Sequence, residues 1–134
     1  MKNVSKKWTL VMSLAMIMMI GFAFTSISGD WDVPAEYASM ENPEEATDKS
    51  IDNGEELYKL HCKSCHGKYG EGDGPKADGL ESFPGDFTSD EFQDQTDGEM
   101  FYKTKFGMDE MPEYTKKIPD DSDIWDLVNF MRTL

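Results

Sequence analysis

Histidine and cysteine are almost missing from this 134-residue chain, which has two of each. All four fall within residues 61–66. No second Cys or His pair exists, so a structural zinc site built from two separated pairs is excluded. A multi-bridge disulfide framework is excluded for the same reason. Acidic residues are absent before Asp30, while Lys2, Lys6 and Lys7 precede position 29. Beyond the first 28 residues, 10 Lys and Arg face 27 Asp and Glu, a formal charge of −17. Such a surface is not that of a general nucleic-acid or anionic-membrane binder. Strand-like alternation is found nowhere, which points to an all-α fold.

The first 28 residues have the pattern of an export segment. Positive residues 1–7 are followed by the uncharged apolar stretch 8–24. Cleavage as a signal peptide and retention as a membrane anchor are both compatible with this pattern. Ser26-Ile27-Ser28 places small residues where a signal peptidase reads them. A helix from Trp8 to Ile27 would reach about 30 Å, enough to span a bilayer core. The length of the apolar stretch favours the anchor, and the basic-then-acidic charge order obeys the positive-inside rule. The absence of Cys near residue 28 excludes a lipoprotein anchor. Residues 29–50 carry two Pro and several acids without a sustained period. They predict an extended spacer, on which Trp31, Val33 and Tyr37 are apolar enough to dock on the domain or on a partner.

Residues 51–134 predict one domain with three main helices and long loops. The first helix runs from about Ile51 to Cys65, with Ser50 as a candidate N-cap. Gly54, Tyr58, Cys62 and Cys65 recur on one face of it. The second runs from Asp97 to Phe106, opened by the Thr96…Glu99 capping box and closed by Gly107. The third runs from about Ser122 to Thr133, with Ile124, Val128 and Met131 as its apolar stripe. Between the first two helices so many Gly and Pro occur that regular structure is not expected. So small a domain, with so much loop, has little apolar surface of its own to bury.

The histidines and cysteines supply the chemistry. Cys62-Lys63-Ser64-Cys65-His66 is a C-x-x-C-H sequence, the pattern of c-type haem attachment. Two Cys three apart on a helical turn can present sulfur to the two vinyl groups of one porphyrin edge. The following His66 can then offer a nitrogen to the iron. A dithiol redox site would also use C-x-x-C, but it needs a strand-rich context that is missing. A plain disulfide is the other alternative for an exported chain. His61 lies on the same helix as the motif, so it cannot reach the opposite side of the ring. A sulfur ligand is next in line. Five of the ten Met lie beyond the leader: Met40, Met100, Met108, Met111 and Met131. Met100 and Met131 sit in helices as packing residues, and Met40 lies in the spacer. Met108 and Met111 share the loop before Pro112, which stiffens the chain beside Met111. Met111 is the preferred axial ligand, with Met108 the alternative.

With these residues in order, the segment 51–134 resembles a class I (mitochondrial-type) cytochrome c domain of the bacterial single-haem kind. Gly54…Tyr58, the Cys62…His66 motif, Gly107…Met111-Pro112 and a C-terminal helix with Trp125 and Phe130 carry the resemblance. It implies a small cytochrome c fold wrapped around one covalent haem c. It also implies that Gly54 and Tyr58 meet Phe130 where the first and last helices cross. The implied function is electron transfer by a six-coordinate iron that binds no substrate, not enzymatic turnover. Respiratory complexes or terminal oxidases are the implied partners, on the periplasmic side of the cytoplasmic membrane. A haem enzyme or gas sensor with a labile sixth site is the alternative. Lys59, Lys63, Lys68, Lys103, Lys105, Lys116 and Lys117 fall in segments expected near the haem, where they could form a positive rim on an acidic body.

Overall fold

A computed structural model describes residues 31–134. The segment 1–28, expected to be a signal or anchor, lies outside the described residues. Among the described residues there are six helices and no strand, as the absence of alternation predicts. These are α1 (Ala35–Ala38), α2 (Asp48–His61), α3 (Lys63–His66), α4 (Asp90–Gln93), α5 (Asp97–Phe106) and α6 (Asp121–Met131), with a 3₁₀ turn at Ala77–Gly79. None of them is long and apolar enough to cross a membrane.

Local chemistry accounts for the helix ends. Thr47, not Ser50, caps α2, its hydroxyl accepting the Ser50 N–H at 3.2 Å. The capping box of α5 forms as expected: Glu99 N–H donates to the Thr96 hydroxyl at 3.1 Å, and Thr96 N–H to the Glu99 carboxylate at 2.7 Å. Helix α6 ends at Met131, and Arg132 turns back to bind Asp97, Gln93 O and Gln95 O. The breaker-rich stretch holds only the 3₁₀ turn, and the one-turn helix α4 beyond it is capped by Ser89.

The core lies between α2, α5 and α6. Met100, Phe101, Ile124, Trp125, Leu127 and Val128 are almost wholly buried there, and Phe101 stacks on Trp125 at 4.1 Å. Helices α2 and α6 cross in near contact at Gly54, where an added Cβ would stand 2.1 Å from the Asp126 carbonyl oxygen. Only a residue without a side chain lets the two backbones come this close. Tyr58 packs on Phe130 beside the crossing, ring centroids 5.2 Å apart. Polar pairs flank it. Asn53 donates to Asp123 and Asp126 at 2.9 and 2.8 Å, and the Ser50 hydroxyl binds Asp126.

Residues 31–50 are not an extended spacer; the docking on the domain expected of their apolar residues is seen for Tyr37. From Trp31 onwards they belong to the same compact unit as the domain. Tyr37 packs against Tyr102 and Phe106, and Asn42 donates to the buried Asn129 at 2.8 Å. The apolar residues of this segment find an aromatic face to cover, which outweighs the acidic, Pro-containing character that suggested a tether.

Candidate functional site

The C-x-x-C-H motif sits where α2 breaks into α3. Cys62 caps both helices: its N–H closes α2 on Tyr58 O at 2.9 Å, and its carbonyl accepts from Cys65 and His66 at 3.1 and 3.0 Å. The bend puts both thiols and the imidazole on one short turn. The glycine-rich loop that follows folds back over this turn. Lys76, Gly74 and Gly72 donate N–H groups to the carbonyls of Ser64, Cys65 and His66 at 2.8, 3.1 and 2.9 Å. These bonds satisfy the carbonyls left open at the end of a helix. Gly74 is needed for the approach, since a Cβ there would lie 2.6 Å from the Cys65 carbonyl.

His66 is buried, its ring 4.4 Å from Phe87, which in turn stacks on Phe92 at 4.2 Å. Burial lowers its pKa to about 4, so the imidazole is neutral at pH 7. A neutral imidazole is the form that ligates a metal. Its Nδ1 is buried and has no hydrogen-bond partner in the protein. Both cysteines are free thiols and half-buried. Burial first, then the neighbouring Cys65, pushes the Cys62 thiol up to about 12. Catalytic dithiols need the opposite shift, toward the thiolate. Among the described residues no three His, Cys, Asp or Glu gather as a metal site of the zinc kind. Two half-buried thiols beside a neutral imidazole with an orphaned nitrogen fit a covalently attached haem.

Met108 and Met111 form a closed turn, each N–H donating to the other's carbonyl at 2.9 Å. Gly107 enters it at φ +63, and a Cβ there would come within 2.3 Å of Met111 O. Both methionine side chains are half-buried. Two ties that the residue pattern does not announce hold this turn. Glu110 accepts the N–H groups of Glu81 and Ser82 at 2.7 and 3.2 Å. Tyr114 donates its hydroxyl to His61 O at 2.9 Å, joining the methionine segment to the residue before Cys62. Burial pushes the Tyr114 hydroxyl up to about 12. Phe87, Glu110 and Tyr114 lie in aperiodic loops, so nothing short of the fold singles them out. Met100 and Met131 are core residues, as expected. Of the seven lysines, Lys59, Lys63 and Lys68 line one cavity of about 160 Å³ with Tyr69. Lys103 and Lys105 lie instead over the aromatic rings of Trp31 and of Phe101 and Phe106.

Comparison with known proteins gives a consistent picture. Residues 51–134 match the family described as Cytochrome c. No curated protein matches the chain. A solved chain of the reducing HAO-like protein complex of Kuenenia stuttgartiensis is similar, at 29% identity and a TM-score of 0.62. The match covers 68% of this chain and 46% of that one, so this chain spans less than half the length of its structural relative.

Proposed function

The chain belongs to the cytochrome c family, and on that footing we propose that it carries electrons through one haem c held by Cys62 and Cys65. The haem supplies an iron that alternates between Fe(III) and Fe(II). His66 would offer the iron a nitrogen, and Met111 a sulfur. The orphaned Nδ1 of a buried, neutral His66 beside two free thiols carries this reading. Each residue has a definable task. Phe87 and Phe92 keep water from the His66 side. Tyr114 ties the methionine turn to the motif helix. Gly107 lets the turn close on itself. A thioether ligand raises the reduction potential relative to a second histidine.

The protein acts on the exported side of the cytoplasmic membrane, either tethered by residues 1–28 or released from them. Its partner is another redox protein, in a carrier role or as a subunit of a larger assembly. The solved relative, a chain of a protein complex, supports the second arrangement.

The test is spectroscopic. Haem content and the reduced spectrum of the exported protein, with and without CO, are measured beside Met111→Ala and Met108→Ala. One haem per chain and a six-coordinate spectrum indifferent to CO are expected. Met111→Ala loses the weak long-wavelength sulfur-to-iron band of the oxidised protein, and Met108→Ala keeps it. Rapid CO binding by the unaltered protein would instead mark a labile sixth site and refute the carrier reading.

A further inference from the structure

Residues 31–47 precede the segment that matches the family, yet they are folded onto α5 and α6. One face of α5, Gly98-Tyr102-Phe106, receives them. At the start of that face a Cβ on Gly98 would lie 1.9 Å from Tyr37 O and 3.0 Å from Met40 O. The helix cap Thr96 donates its hydroxyl to Ala38 O at 2.8 Å. Further along, the Tyr37 ring meets Tyr102 at 4.9 Å and the edge of Phe106 at 5.5 Å. Tyr102 and Phe106 also meet each other, at 4.8 Å. The Lys103 ammonium lies over Trp31 at 5.7 Å. At its other end the segment is fastened to α6, where Asn129 donates to Glu44 O at 3.2 Å.

Phe106 is the last residue of α5 and stands directly before Gly107 and Met108. We propose that residues 31–47 form a strap in which Tyr37 is a positioning residue for the Met108–Met111 turn, and hence for sulfur ligation by Met111. This rests on Met111 as the ligand named above. The last turn of a helix frays most readily, because its carbonyls lack intrahelical partners. Tyr37 covers the aromatic side chain at that end. The turn beyond it has little slack, since even a Cβ on Gly107 would lie 2.3 Å from Met111 O and 2.5 Å from the Pro112 carbonyl carbon. The position of Phe106 therefore sets where the turn begins. Loss of the Tyr37 ring loosens the end of α5 and the methionine turn that follows it.

The experiment uses the full-length haem-loaded protein and Tyr37→Ala, Tyr37→Phe, Gly98→Ala and Met111→Ala. The oxidised sulfur-to-iron band and the far-ultraviolet helix signal are followed together during heating, and the reduction potential is measured. In Tyr37→Ala the band is expected to disappear at least ~5 °C further below helix melting than in the unaltered protein. Gly98→Ala strengthens α5 as a helix but pushes the strap off it, so the same widening is expected. It decides the matter alone if Tyr37→Ala does not fold. Tyr37→Phe keeps the ring and should match the unaltered protein. An unchanged interval in Gly98→Ala, or Tyr37→Phe behaving like the alanine variant, would overturn the strap. A band retained in Met111→Ala overturns the ligand assignment itself, which distinguishes the two failures.

Discussion

Replacing Gly54 by alanine sets two effects of opposite sign against each other. Alanine is the better helix former by about 1 kcal/mol in a helix interior. Propensity alone therefore predicts a more stable protein. Packing predicts the reverse. The new methyl would lie 2.1 Å from Asp126 O, 2.7 Å from the Asp126 carbonyl carbon and 2.8 Å from Phe130 Cβ. The Asp126 atoms are backbone and cannot rotate away. Ordinary contact begins at 3.4 Å, so α2 and α6 must part by roughly 1 Å, an overpacking that costs about 1–3 kcal/mol. The movement also stretches the Asn53 and Ser50 bonds to Asp126, each worth about 1 kcal/mol. The net expectation is a loss of about 2 kcal/mol, or about 8–10 °C in Tm for a domain of about 100 residues. Thermal and urea unfolding of Gly54→Ala, followed by circular dichroism, measure it. An alanine variant as stable as the unaltered protein would refute the close crossing.

Two further outcomes follow from the ties around the site and core. Tyr114 keeps its proton up to about pH 12 when folded, chiefly through burial, and releases it near its ordinary value of 10.0 when unfolded. Between those values the unfolded chain gives up a proton that the folded one retains, so stability falls as pH rises through the window. Tyr114→Phe is expected to flatten this fall while costing about 1 kcal/mol at neutral pH through the lost bond to His61. Urea midpoints at several alkaline pH values check it, and parallel curves for the two proteins would contradict it. Arg132→Ala removes a fork that holds Asp97, Gln93 O and Gln95 O at the junction of α4, α5 and α6. A partly exposed group of this kind is worth about 1–2 kcal/mol. Arg132→Lys should not restore it, because one ammonium cannot span those acceptors; full recovery of the urea midpoint by lysine would sink the account.

The C-x-x-C-H turn was legible in the chain because it is local. Cys62, Cys65 and His66 need only one helical turn to act together, so their spacing already states their geometry. The capping box of α5 was legible for the same reason. The start of α2 was not: Ser50 and Thr47 are both capable caps, and packing against Asp126 and Asn129 draws Ser50 into the helix instead. The α6 stripe also hid a buried polar residue. Asn129 accepts from Asn42 and donates to Ser50 and Glu44, all of them distant in the chain.

The sequence by itself determined the all-helical class and the C-x-x-C-H turn. Both follow from short-range periodicity and from the scarcity of Cys and His. It narrowed the proposed sulfur ligand to Met108 and Met111, which share one turn in the folded chain. What holds that turn is a matter of tertiary structure alone. Tyr114 reaches His61, Glu110 reaches Glu81, and Tyr37 reaches Phe106 across long intervals of chain that no local pattern relates. The same holds for residues 31–50. Their acids and prolines describe solvent-facing chain, whereas their place against α5 depends on Gly98 and on a row of aromatic side chains that only folding brings together.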